Sequence, residues 1–406
     1  MPNVVFVAPY LAETTLRFVS AVALLPGVRA AIVTQESSDK LPPNLQEHLA
    51  AHLRVDDSLD PVQIAQAVEA LSGQMGPVHR IVGALEQLQV PLGQVRDAFG
   101  IPGMGAEAAR NFRDKSRMKT ILRAAGIGCA RHALASSAGD AQESARAIGF
   151  PLVAKPPAGA GAKATHRVES DDELARYLAA HPPSADHPLL LEEFLHGTEH
   201  SLETVSIAGR PVWHSLTRYF PTPLEVVENP WIQWCVVLPR EVDHPRYDDI
   251  RAVAAKALAT LGMGTGLTHM EWFRRADGSV AISEVGARPP GAQFTTLISY
   301  AHDIDMYAAW ARLMVYEEFD PPERKFAAGV AFLRGQGEGS VKAIRGVGQA
   351  QKEIGGIVVE ARLPRRGQPR SGTYEGEGFV LVRHPETKVV ERALERLVSL
   401  IRVEMG

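Results

Sequence analysis

Thr268-His269-Met270-Glu271-Trp272-Phe273 and Val280-Ala281-Ile282-Ser283-Glu284-Val285 are two strand-like runs separated by Arg274-Arg275-Ala276-Asp277-Gly278-Ser279. The Asp-Gly pair supplies a positive-φ position, so the segment predicts a hairpin. Antiparallel pairing of its strands can bring Glu271 beside Glu284. Two like charges at about 4 Å repel by roughly 1 kcal/mol in water and roughly 4 kcal/mol at an effective dielectric of 20. A divalent cation with oxygen ligands removes that cost, and Mg²⁺ typically uses one or two carboxylates plus substrate phosphates. The pattern points to a Mg–nucleotide site. A surface hairpin carrying two ordinary acids is the alternative.

Outward from the hairpin, 406 residues, 45% of them hydrophobic and 22% charged, exceed one compact domain; about two to four are expected. Forty-three basic residues stand against 47 acidic ones, a net charge of −4. No basic block is long enough for a nucleic-acid surface, and Arg362-Leu363-Pro364-Arg365-Arg366 reads as a solvated loop. Cys129 and Cys235 form neither a metal spacing nor a disulfide framework, which suits a reducing cytosol. Val4–Ala8 reads as a short buried strand rather than a signal peptide. No apolar run reaches the roughly 18 residues that cross a bilayer. A cytoplasmic protein without a membrane partner is expected.

Residues 1–105 alternate strand and helix: strands at Val4–Ala8, Ala30–Thr34 and Arg80–Leu85, helices at Ala12–Leu25 and Pro61–Gly73. That order predicts a parallel α/β, Rossmann-like sheet. Pro9-Tyr10-Leu11-Ala12 after the first strand lacks a glycine fingerprint, so a dinucleotide site is not expected there. Ala106–Gly126 predicts one helix with Asn111, Arg113, Asp114, Lys115 and Lys119 on polar faces. A strand–loop–strand–helix–strand unit follows, small enough to move as a lid (about 125–196). A mixed α/β body spans 200–320. Asp320-Pro321-Pro322-Glu323-Arg324 reads as a boundary, and 321–406 reads as β-rich with a final helix from about Glu386 to Ile401.

Lys155 closes the apolar strand Pro151–Pro156. A buried lysine needs an anion; phosphate is the obvious one, and Lys115 is a second candidate. The loop Ala158–Ala162, with Gly159, Ala160 and Gly161, carries no bulky side chain, so its N–H groups can close over phosphates. It is not a Walker A loop. Glu192, Glu193 and Glu199 flank Gly197. The Glu193–Leu195 backbone can pair with an adenine edge, and Glu199 can accept ribose hydroxyls. His196 and His200, four apart but not on a helix, do not suggest a metal site. Arg288 follows Glu284 at even spacing and offers a planar fork for carboxylate or phosphate. Trp231 and Trp234 either wall a pocket or pack in the core.

In this order the pieces resemble the ATP-grasp superfamily. The resemblance is carried by Ile101-Pro102-Gly103-Met104, Arg113-Asp114-Lys115, Phe150–Pro156, Glu192–Glu199, Glu271 and Ser283–Pro289, and covers roughly residues 80–315. It is nearest to carboxylate–amine ligases, namely the L-amino acid ligases and the purine-biosynthesis members. It implies a Rossmann-like domain over 1–105, an ATP-grasp region over 106–320 and a small C-terminal domain over 321–406. It implies ATP as cofactor, with Mg²⁺ as one ion or two and Mn²⁺ as an alternative. Lys115 and Lys155 would hold phosphates under the small-residue loop. Glu192 and the Glu193–Leu195 backbone, Leu195 included, would read adenine, and Glu199 the ribose. Glu271 and Glu284 would bind metal, and Arg288 would steady the phosphorylated intermediate. Glu86 matches an acid near the substrate amine. Gly286 departs from the Asn that many relatives carry there, which leaves metal stoichiometry open. The implied activity joins a small carboxylate to an amine, with a homodimer as the assembly suggested by relatives. A phosphotransferase, a carboxylating enzyme and a nucleotide-binding scaffold without turnover are the alternatives.

Overall fold

The structure, a computed structural model, describes residues 1–158, 165–229 and 232–406. β1 (Asn3–Val7), β2 (Arg29–Thr34), β3 (Leu49–Arg54) and β4 (Val78–Val82) form a parallel sheet in the order β3-β2-β1-β4. β1 is buried along its whole length, which is why it reads as an unbroken Val/Phe run. The sequence gives no expectation of β3: its run Leu49–Arg54 is a half-exposed edge without β-branched residues. The helix Glu13–Ala23 packs on the helix Met306–Tyr316 through Phe18, whose ring lies 4.8 Å from Tyr307 and 4.9 Å from Trp310.

The single helix expected over Ala106–Gly126 is two, Ala106–Arg113 and Lys115–Ala124. Asp114 causes the break: its carboxylate accepts from the amides of Ser116 and Arg117 and so caps a new N-terminus. Lys115 and Lys119, expected on polar faces, are instead buried on one stripe with Met118 and Leu122.

β5 (His132–Ala135), β6 (Leu152–Lys155), β7 (His166–Val168) and β8 (Leu189–Glu193) form a small antiparallel sheet in the order β5-β8-β6-β7. The helices Ala138–Ile148 and Asp171–Ala180, capped by Ser137 and Ser170, bury Ala141, Ala145, Leu174 and Leu178 against it.

β9 (Thr198–Ile207), β10 (Arg210–Phe220), β11 (Trp234–Leu238), β12 (Gly266–Arg274), β13 (Val280–Gly286) and β14 (Ala327–Leu333) follow. Beyond them come β15 (Gly335–Gln336), β16 (Val341–Arg345), β17 (Val358–Arg362), β18 (Gly378–His384) and β19 (Arg402–Met405). Eight of these strands make one antiparallel sheet in the order β13-β12-β9-β10-β11-β14-β18-β17, so strands from both sides of Asp320 share it. β15, β19 and β16 form a small separate sheet, and the helix Thr387–Leu400 buries Val390, Leu394 and Leu397 beside them. No described helix is long and apolar enough to cross a membrane.

Gly197 joins the small sheet to the large one. Its φ is +156°, and a Cβ there would lie 2.2 Å from the carbonyl oxygen of Arg274. The connection therefore runs directly against the end of β12, where only glycine fits. Gly197→Ala is expected to lower stability by about 1–3 kcal/mol through overpacking, seen as a lower urea midpoint.

Candidate functional site

The hairpin forms as its turn residues demand. Gly278 has φ +84°, and Asp277 accepts from the amide of Ser279. Pairing then sets Glu271 directly opposite Glu284. Register does the rest: on β9, Glu199, Ser201 and Glu203 stand opposite Phe273, Glu271 and His269 of β12. One face of the sheet thus carries a row of polar side chains in an otherwise apolar body.

Glu203, fully buried, accepts from Ser201 Oγ at 2.6 Å and Thr217 Oγ1 at 3.1 Å and pairs with His269 Nδ1 at 2.8 Å. His269 Nε2 faces Glu271 Oε1 at 3.6 Å. Burial alone would lower the His269 pKa, but the hydrogen bonds to Glu203 and Glu271 outweigh it and raise it to about 9. Burial likewise raises Glu271, yet His269, Lys115 and Lys155 together pull it below the usual carboxylate value. Glu199 shifts the other way: burial, then the charge on Glu271, push it well above despite Lys155 and His269. Glu199, Glu271 and Glu284 thus bring three carboxylates to one cavity, an oxygen donor set of the kind a divalent ion takes.

The cations stand on the other side. Lys115 Nζ lies 2.7 Å from Glu284 Oε1, and Lys155 Nζ lies 2.8 Å from Glu192 Oε2. Lys119 Nζ lies 2.9 Å from Glu192 Oε1 and donates to the carbonyl of Ser283. Glu192 is thus enclosed by two ammonium groups. Burial would raise its pKa, but Lys119 and Lys155 hold it at about 2. Burial lowers Lys119, whereas Glu192 and Glu284 raise Lys155 against the same effect. Arg288 meets Glu86 Oε2 through Nε at 3.3 Å and Nη2 at 3.1 Å, and Arg113 meets Glu86 Oε1 at 2.8 Å. Glu86, expected beside a substrate amine, sits buried between two guanidiniums, an arrangement that orients Arg288.

One cavity of about 1330 Å³, its mouth included, brings together Lys115, Lys155, Glu192, Glu193, Leu195, Glu199, Glu271, Glu284, Arg288 and Trp234. Glu193 turns its carboxylate to Arg131, and the amides of Glu193 and Phe194 donate to the carbonyls of Arg131 and Pro151. Trp234 stacks on Phe332 at 5.1 Å and donates its indole N–H to Pro221 O, so it both packs and lines. His200 stacks on Trp272, a packing role. Gly159, Ala160, Gly161 and Trp231 lie outside the described residues.

Sequence reasoning assigned no role to Lys119, His269 or Glu203. Each left a signal. Lys115 and Lys119 fall on the i, i+3, i+4, i+7 stripe with Met118 and Leu122. His269 precedes Glu271 by two in an apolar strand, and Glu203 continues the even spacing of Glu199 and Ser201.

Residues 120–302 match the ATP-grasp domain family. Among curated proteins it is similar to an L-arginine-specific L-amino acid ligase of Bacillus subtilis, at 23% identity over 279 residues. That alignment covers 68% of this chain and 67% of the relative. Among solved structures it is similar to an L-amino acid ligase from Bacillus licheniformis, with a TM-score of 0.80 and 18% identity over 100% of this chain and 99% of the other. It is also similar to N5-carboxyaminoimidazole ribonucleotide synthetase from Thermotoga maritima, with a TM-score of 0.70 and 15% identity over the whole of both chains.

Proposed function

We propose that the protein is an ATP-dependent, ADP-forming ligase that joins a carboxylate to an amine through an acyl phosphate. The observation that carries this reading is the Glu271–Glu284 pair facing Lys115, Lys155 and Arg288 across one cavity, within an ATP-grasp domain. In this reading Lys115 and Lys155 hold phosphate oxygens, the Glu193–Leu195 backbone meets adenine, and Glu199 accepts from ribose. A phosphate-contacting role is proposed for Gly159, Ala160 and Gly161 from the sequence alone. Glu192 takes a different role from the one its spacing suggested: it fixes Lys155 and ties it to Lys119. Glu271 and Glu284 hold Mg²⁺, which neutralises charge on the transferring phosphoryl group when bound. Trp234 belongs to the substrate side, and the same role is proposed for Trp231 from the sequence alone.

An oxygen of the substrate carboxylate attacks the γ-phosphorus, and the bond to the ADP oxygen breaks. The amine nitrogen then attacks the acyl carbon, phosphate leaves with the bonding pair, and the nitrogen sheds one proton. Arg288, held by Glu86, pairs with charge on the acyl phosphate. A cover formed by the small sheet keeps that intermediate from water.

The test is ADP release over pairs of acids and amines. Release is expected to need both partners, to stop on chelation with EDTA and to return with Mg²⁺. Glu284→Ala is expected to lower it about 100-fold or more. ADP release without an amine would favour a phosphotransferase or a carboxylating enzyme, and ATP binding without ADP a scaffold.

A further inference from the structure

Past the acidic pair the cavity changes character. Tyr219 from β10, Trp234 from β11, Phe294 from the helix Phe294–His302 and Tyr374 from the loop before β18 line it, joined by Leu224 of the helix Pro223–Glu228. The rings touch one another. Tyr219 lies 5.9 Å from Trp234 and 6.1 Å from Phe294, and Trp234 lies 4.8 Å from Tyr374, centroid to centroid. They make one continuous aromatic wall. The indole N–H is committed to Pro221, so Trp234 presents carbon to the cavity. Burial keeps both phenols protonated, Tyr374 at about 12.

Charged side chains border this wall. Glu199, Glu271 and Glu284 stand with the lysines on the proposed nucleotide side. Arg288 lines the same cavity and commits three of its five N–H donors to Glu86 and Pro289. Among the described residues its other two N–H donors meet no acceptor, and they can meet a carboxylate.

We propose that the acid activated here carries a large apolar side group, aromatic or branched aliphatic, seated on Tyr219, Leu224, Trp234, Phe294 and Tyr374 while its carboxylate meets Arg288. This rests on the ligase reading, which makes that carboxylate the reacting group. A short side chain leaves the wall bare and forfeits apolar burial. An acidic side chain approaches Glu271 and Glu199.

Binding tests it apart from turnover. The full chain, with Mg²⁺ and a non-hydrolysable ATP analogue, is titrated by calorimetry with phenylalanine, 3-phenylpropionate and leucine, then with alanine, aspartate and lysine. The tightest of the first three is expected to bind about tenfold or more tighter than alanine. Leu224→Trp, at a partly exposed helical position, narrows the compartment. It is expected to reverse that order without changing affinity for the analogue. Alanine, aspartate or lysine binding tightest, no acid binding at all, or an order untouched by Leu224→Trp overturns the proposal. Apolar-first binding with no amine-dependent ADP release rejects the ligase reading and leaves the apolar subsite standing.

Discussion

Glu192→Gln is expected to cost about 3–5 kcal/mol of stability, because it strands two buried ammonium groups in one stroke. Lys119 is fully buried and Glu192 is 4% exposed, so water cannot take over the lost charge. A urea titration at pH 7 reads the loss as a lower midpoint at unchanged slope. The pH dependence follows from the depressed Glu192 pKa. The folded carboxylate titrates at about 2, below its ordinary 4.5. Its stabilisation is therefore complete above about 4.5 and is lost as pH falls through about 2. The wild type should lose its advantage over Glu192→Gln across that window. A variant as stable as wild type at pH 7 would show that the two lysines do not depend on this acid. Because Glu192 also fixes Lys155, affinity for an ATP analogue should fall in the same variant.

Arg288→Ala is expected to lower kcat for amine-dependent ADP release about 10²–10³-fold, the scale of losing one donor aimed at transition-state charge. Affinity for an ATP analogue should fall less than turnover, since Lys115 and Lys155 remain in the cavity. Arg113 remains 2.8 Å from Glu86, so the variant keeps a counterion for that buried acid and should fold, checked by circular dichroism. Arg288→Lys keeps the charge but not the fork and should recover only a minor part of the rate. Unchanged turnover in Arg288→Ala would reject the proposed role.

What could be read from the chain follows a physical division. Short-range rules carried the hairpin, where period-two patterning and Asp277-Gly278 fix both register and turn, and so the meeting of Glu271 with Glu284. Continuous apolar runs carried β1 and β2. Asp114 was a readable cap inside a helical stretch, passed over because the apolar periodicity continues across it. Partner choice was the part local rules do not encode. Glu192 meets Lys119 from 73 positions away and Glu86 meets Arg288 from 202. Spacing can say that a carboxylate faces inward, not whether a ligand or another side chain neutralises it. The same reasoning explains Lys119, whose place on the apolar stripe signalled burial but not the acid that makes burial tolerable.

The shared eight-stranded sheet has a consequence for dissection by truncation. Ending the chain at Asp320 would strip β14 from β11, whose residues Trp234–Leu238 are all buried and carry no charge. A five-residue, uncharged, apolar strand would then offer its unpaired backbone to any passing copy. The shortened protein should self-associate rather than survive as an independent catalytic core.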